Sequence, residues 1–288
     1  MTGFVPAREI AEAFAAACRL ELAALKPGNV HVHAAGHGME TEHFLRSAAA
    51  SAPHIAASGM PVGTRVRRAV EASVAVAGCN TNLGIILLCA PLAGAAGETS
   101  ADPDLRARLS RVLAGLDQTD ASEAFAAIAH ANPGGLGRSD AADVTEPATV
   151  TLLEAMRLAA DRDRIALAYI TNFADIFEVG LPHYRAALAS AETPELAVTT
   201  LHMHYLAHIP DTHICRKFGK DVARSVQEDA RVLAAQWQPV ASSASVPVLL
   251  EFDSRLKRAG INPGTTADFV VATLFTDRLM KHLASSIG

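Results

Sequence analysis

The chain has 288 residues, half of them hydrophobic, with 25 basic and 30 acidic side chains and a formal net charge of -5. That length and apolar content suit one large domain, or two small lobes, with a sizeable core, and exclude a disordered tail protein. Aromatic residues make up only 5% and no basic stripe is interleaved with them, so nucleic-acid binding is not expected.

Apolar residues recur almost everywhere at helical spacing, with Ala and Leu where a sheet would carry β-branched residues, which predicts an all-α, single-domain, bundle-like fold with an internal polar cleft. The first predicted helix runs from Arg8 to Leu25 and is closed by Lys26-Pro27-Gly28. Helices follow at 41–57, 63–77, 83–96, 103–117 and 120–131, the last with Asp120 and Glu123 spaced as in a capping box. The stretch Asn132 to Pro147 reads as an irregular segment, a lid or a connector. Helices resume at 149–160, 162–179 and 182–191, then after Thr193-Pro194, a cap followed by a first-turn proline, as far as His208. The last three are expected at 212–236, 247–259 and 263–285. The longest apolar run, Leu83 to Ala96, is too short to span a bilayer and contains Pro91. The start of the chain lacks the pattern of a signal peptide. Cys18, Cys79, Cys89 and Cys215 form no C-x-x-C pair and read as small core residues in a reducing, cytoplasmic setting.

Several polar residues fall on the wrong helical face. Glu21 lies among Ile10, Phe14, Cys18 and Leu25, and Asp268 shares its face with Ala272, Phe275, Leu279 and Leu283. Asn172 sits with Ile165, Ile176 and Val179, and Glu71 borders the Val66, Val70, Val74 stripe. A buried carboxylate needs a cation, a metal or several donors. Each acid taken singly fits an arginine pair or a helix cap as well as it fits a site. Together they point to a polar cleft between helices.

Polar loops adjoin these helices at Lys26 to Asn29, Cys79 to Gly84, Pro210 to His213 with Arg216-Lys217, and Asn262 to Thr266. Each joins small hydrogen-bonding side chains to a helix start, an arrangement that can hold phosphate oxygens and equally an ordinary cap. His204 and His208 stand one turn apart, near His202 and His213, but Tyr205 replaces the glutamate of H-E-x-x-H, so structural or ligand-contacting histidines are expected over a zinc site. His31, His33, His37 and His43 near the first loop could face a cleft. No G-x-S-x-G elbow or Cys-His pair suggests a covalent nucleophile.

The segments Glu21 with Lys26-Pro27-Gly28, Gly78 to Gly84, Asn132 to Gly137, Ala159 to Asp163, Asn172 to Phe177, Pro210-Asp211-Thr212 with Arg216-Lys217, and Asn262 to Asp268 occur in an order that resembles the triphosphoribosyl-dephospho-coenzyme A synthase family over nearly the whole chain. The resemblance implies an all-helical enzyme that moves a triphosphoribosyl unit from ATP to dephospho-coenzyme A and releases adenine. Where the family loop reads Asn-Thr-His-Lys-Gly, this chain has Asn82 and Leu83 in place of His and Lys. Only Gly36-His37-Gly38-Met39 survives of a second family segment.

Ribosyl transfer passes through an oxocarbenium-like state, which calls for negative charge near the anomeric carbon and a base for the incoming hydroxyl. Asp211 and Asp268 are the expected catalytic acids, with Glu21 and Glu71 holding Mg²⁺. Lys26, Arg216 and Lys217 would meet phosphates, and Asn29, Asn80, Thr81, Asn82, Thr265 and Thr266 would bind and orient the nucleotide. Other readings stay open: phosphoribosyl transfer onto a precursor of a tetrahydromethanopterin-type cofactor, a metal-dependent helical phosphohydrolase, or a nucleotide-binding protein without turnover. Small molecules are the expected partners, with homodimerisation left open and no membrane or nucleic acid.

Overall fold

The computed structural model describes residues 3–32, 41–133, 143–144, 146–236 and 240–287. Within them the fold is all-α, with no strand beyond an isolated bridge between Gly3 and Ser100. His33, His37 and the Gly36 to Met39 segment lie outside the described residues, as do 134–142 and 145 of the predicted irregular stretch.

Helix α1 (Ala7–Ala23), α4 (Leu83–Gly97) and α14 (Gly264–Ile287) form the centre. Almost every side chain of α4 is buried, the pattern of a helix apolar on all sides and therefore enclosed by others. Phe14 of α1 meets Phe275 of α14 edge to face, with ring centroids 5.9 Å apart. Around this centre stand α2 (Thr41–Ala56), α3 (Val62–Ala77), α5 (Leu105–Ala114), α6 (Gln118–Ala131) and α7 (Leu152–Ala159). A second, smaller apolar cluster, built on Met203, Leu206, Ile214, Val226, Phe252 and Leu256, joins α10 (Pro194–His208), α11 (Thr212–Phe218), α12 (Lys220–Ala234) and α13 (Val246–Arg258). No single helix among the described residues is long and apolar enough to cross a membrane.

Local rules explain most helix ends. Thr193 caps α10 by accepting from Leu196 N, with Pro194 in the first turn. The capping box of α6 is formed by Asp117 and Asp120, three residues before the predicted pair, because the Asp117 side chain reaches Asp120 N while Asp120 reaches back.

Two predicted helices are broken. The 162–179 helix divides into α8 (Arg164–Ile170) and a π-helix at Asp175–Gly180 that leads into α9 (Leu181–Ser190). Between them Asn172 and Phe173 take left-handed backbone angles, φ 49° and 55°. Such wide turns occur mostly at functional sites. Tyr205 of α10 donates to the Asp175 carbonyl at 3.0 Å and shares a hydrogen bond with Thr273 at 2.8 Å, which braces this turn from inside. The 212–236 helix breaks at Gly219, whose φ of 90° suits glycine and separates α11 from α12.

Candidate active site

A cavity of about 1340 Å³ opens between the α1 C-terminus, α4, α8 and the α14 N-terminus, and extends to α2, α3, α6, α7, α11 and α12. Of the residues expected from the sequence, Glu21, Asn29, Asn80, Thr81, Arg216, Lys217, Thr265 and Asp268 line it. Lys26, Glu71, Asn82, Asp211 and Thr266 do not.

Asp268 lies in the second turn of α14 and receives no hydrogen bond or ion pair from the described residues. Its carboxylate presses against the bare Cα of Gly84, where a Cβ would stand 2.0 Å from Oδ2. Burial, then the charges of Asp211, Glu21 and Asp163, raise its pKa well above the carboxylate range, against an opposing pull from Arg216. An uncommitted carboxylate with raised proton affinity inside a cavity is suited to accept a proton from a reacting group.

Asp211 is built differently. It caps α11 through Ile214 N at 3.0 Å and takes both Thr266 N and Thr266 Oγ1 at 2.8 Å. Burial raises its carboxyl and these donors oppose the rise. With both oxygens engaged, Asp211 and Thr266 form a bracket between α11 and α14 behind the cavity wall, which corrects their placement beside substrate.

The expected phosphate ligand Lys26 is wholly buried. Its ammonium donates to Glu21 Oε1, to the Val30 carbonyl at 2.8 Å and to Asn29 Oδ1 at 3.3 Å, which uses its three donors. Burial pulls the Lys26 pKa down and the Glu21 pKa up, and their direct contact opposes both. Glu21 therefore faces the cavity already paired. Behind this pair, Asp253 accepts from Gly28 N at 2.8 Å and is paired with Lys257 at 3.0 Å and with His31 at 3.3 Å. Burial raises the Asp253 carboxyl, but the bonds from His31, Gly28 and Lys257 outweigh it and hold its pKa low. His202, fully buried nearby, is pushed down to about 3 by burial and by Lys26, so it is neutral.

Glu71, expected to hold metal, is exposed on α3 and pairs with Arg67 at 2.9 Å. Among the described residues no three His, Cys, Asp or Glu side chains are grouped to hold a metal ion. With Glu21 taken by Lys26 and Glu71 outside the cavity, these two expected ligands do not converge on one ion. His204 is stacked between His183 and His208, with centroids 3.5 and 4.2 Å away, outside the cavity lining. Burial and its two neighbours push it down to about 3.

Exposed cations form one rim of the cavity: Arg162, Lys217, Lys220 and Arg224, with Arg216 half-buried among them. Arg216 lies 3.6 Å from Asp163, which caps α8 through Ile165 N and Ala166 N at 2.8 and 3.1 Å. Arg164, also in the lining, is clamped by Asp175 of the π-helix at 2.6 and 2.7 Å. Thr265 Oγ1 accepts from His213 N at 3.1 Å. Asn80 Oδ1 accepts from Leu83 N at 3.2 Å, Thr81 donates to Ser47 at 2.7 Å, and Asn29 donates to Asn262 at 2.8 Å. Asn82 is buried between Ser73 and Ser51, at 2.6 and 3.3 Å, and stiffens its loop from within. Arg162, Lys220 and Arg224 are absent from the sequence expectation, although Lys217, Lys220 and Arg224 are spaced as a single helical stripe.

A family model described as ATP:dephospho-CoA triphosphoribosyl transferase matches residues 7–287. The chain belongs to that family. A Citrobacter koseri relative named a probable 2-(5''-triphosphoribosyl)-3'-dephosphocoenzyme-A synthase is 30% identical over 105 residues, 36% of this chain and 34% of that protein. A relative of the same name from Azotobacter vinelandii is 31% identical over 118 residues, 41% of this chain and 40% of that protein. The matched stretches thus span between a third and two fifths of these relatives. A crystal structure from Archaeoglobus fulgidus, provisionally titled a triphosphoribosyl-dephospho-CoA synthase, aligns with a TM-score of 0.61 over 85% of this chain and 99% of its own at 23% identity, a likeness of fold. Most of the family segments meet at one place in space, while Asn172 to Phe177 and Lys26-Pro27-Gly28 lie outside the lining. Gly78 to Thr81, Leu83-Gly84, Asn132-Pro133, Ala159 to Asp163 and most of Asn262 to Asp268 all reach the cavity.

Proposed function

We propose that this protein transfers a triphosphoribosyl group from ATP to a hydroxyl of dephospho-CoA or a related acceptor, with release of adenine. The observation that carries the reading is the free carboxylate of Asp268 in a cavity with a rim of cations. The rim binds the triphosphate, and in a protein of net charge -5 it supplies a local positive field that draws polyanions in. The ribose then lies toward Asp268. As the bond from the anomeric carbon to the adenine nitrogen breaks, positive charge grows on the ring and the carboxylate stabilises it. The acceptor oxygen attacks that carbon and gives its proton to Asp268, while adenine leaves with the bonding pair and takes up a proton from water, and Asp268 returns its proton to solvent when the product leaves. Magnesium enters with the triphosphate as part of the substrate, held mainly by phosphate oxygens and water. The free thiols, buried at Cys18 and Cys89 but exposed at Cys79 and half-buried at Cys215 against the expectation of four core residues, agree with a reducing, cytoplasmic setting.

The test is incubation with ATP, Mg²⁺ and dephospho-CoA, with mass spectrometry for adenine and the coupled product. Formation of both is expected. Absence of adenine would reject dephospho-CoA as acceptor. Leu83, apolar and in the cavity lining where the family loop carries Lys, favours a second reading in which the chemistry is kept and the acceptor is less anionic.

A further inference from the structure

The cations of the cavity lie on one side only. Its Lys and Arg side chains come from residues 162–164, α11 and α12. From α2, α3, α4, α6 and α7 come Phe44, Val74, Leu87, Phe125, Ile128 and Met156, and among the described residues no Lys or Arg of those five helices enters the lining. Phe44, Val74 and Ile128 remain only part-buried, so the described residues do not close this apolar wall. The volume of about 1340 Å³ also exceeds the roughly 300–1,000 Å³ that encloses one drug-sized ligand. Donor and acceptor can therefore occupy the cavity together.

We infer that the arm between α3, α4, α6 and α7 is an acceptor subsite that takes a long uncharged chain, which in dephospho-CoA is the pantetheine arm. The inference rests on the transferase reading for the identity of the acceptor. The charged rim has no counterpart in this arm, so a phosphate there would lose its hydration without gaining a cation. An amide and thiol chain carries no charge and its methyl and methylene groups gain from burial. Leu83, at the start of α4, extends the apolar wall toward Asp268, and the diphosphate that joins the pantetheine arm to the nucleoside then lies beyond it, on the side of the cations. The acceptor is selected by the fit of this chain, and the donor by the cations opposite.

Calorimetric titration of dephospho-CoA and of pantetheine alone into the wild type, Ile128→Gln and Val74→Asn tests this, with ATP titrated into each as a control. Retained helical circular dichroism certifies each variant. The expected result is pantetheine binding to the wild type, a loss of tenfold or more for pantetheine and dephospho-CoA in both variants, and ATP affinity unchanged within twofold. Pantetheine that fails to bind the wild type, or binds the folded variants equally well, overturns the subsite. Pantetheine binding without adenine release from ATP and dephospho-CoA would uphold the subsite and reject the acceptor reading, so the two failures are distinct.

Discussion

Gly84→Ala isolates the contact on which the proposed chemistry depends. A methyl at this position would lie 2.0 Å from Asp268 Oδ2, 2.5 Å from its Cγ and 2.8 Å from Ile165 Cδ1. Ordinary contact starts near 3.4 Å, so the nearest oxygen must retreat by about 1.4 Å. A reacting group misplaced by about 1 Å loses on the order of 100-fold in rate, about 2.7 kcal/mol of transition-state stabilisation. The substitution does not attack the helix itself, because alanine is favoured over glycine inside a helix by roughly 1 kcal/mol. The expected outcome is a fall of about 100-fold in kcat for adenine release at saturating ATP and acceptor, with ATP affinity unchanged and Tm within a few degrees of wild type. A folded Gly84→Ala protein with kcat within threefold of wild type would refute the placement of the reaction at Asp268.

Three further outcomes follow from the buried groups. Asp268→Asn should abolish adenine release and raise Tm at neutral pH. The folded protein holds this proton more tightly than the unfolded chain, so ionisation weighs against the fold above the ordinary carboxylate pKa of about 3.9. Its stabilising effect should vanish as pH falls to about 4, and a thermal scan from pH 4 to 8 showing no gain at the upper end would contradict this. Lys26→Met leaves Glu21 buried without its cation and should cost about 3–5 kcal/mol by urea unfolding, with part of the loss recovered when Glu21→Leu is added. Glu71→Gln should leave kcat and KM within twofold of wild type, since its side chain lies outside the cavity; a tenfold change in steady-state kinetics would return Glu71 to the site.

Most helices were legible because their apolar periods are unambiguous, and the acids on apolar faces drew attention to Glu21 and Asp268 before any coordinates. What the pattern could not tell was which neighbour consumes each buried polar group. Lys26 follows Glu21 by five residues, and only the extended turn after α1 swings its ammonium back onto that carboxylate. Asp211 stands at a helix start, so its capping role was available from the sequence, but its second bracket to Thr266 joins residues 55 apart. Glu71 follows Arg67 by four residues, a spacing that already favours a surface pair. The breaks at Asn172-Phe173 and Gly219 were hidden because apolar residues continue through both. The basic rim escapes the sequence pattern for a related reason, since Lys220 and Arg224 read as solvated charges until α12 is folded against α10 at the edge of the cavity.

The Asp175–Gly180 turn winds wider than the helices on either side of it, so the chain spends an extra residue there. Wound as ordinary helix with the same number of residues, the segment would turn α9 by about 100° relative to what precedes it. Asp175 could then not keep its grip on Arg164 while Leu181 and Tyr184 kept their places in the core. This short stretch accordingly works as a spacer whose wide winding sets the face that α9 turns to the core, with Gly180 kept bare beneath the Tyr205 hydroxyl.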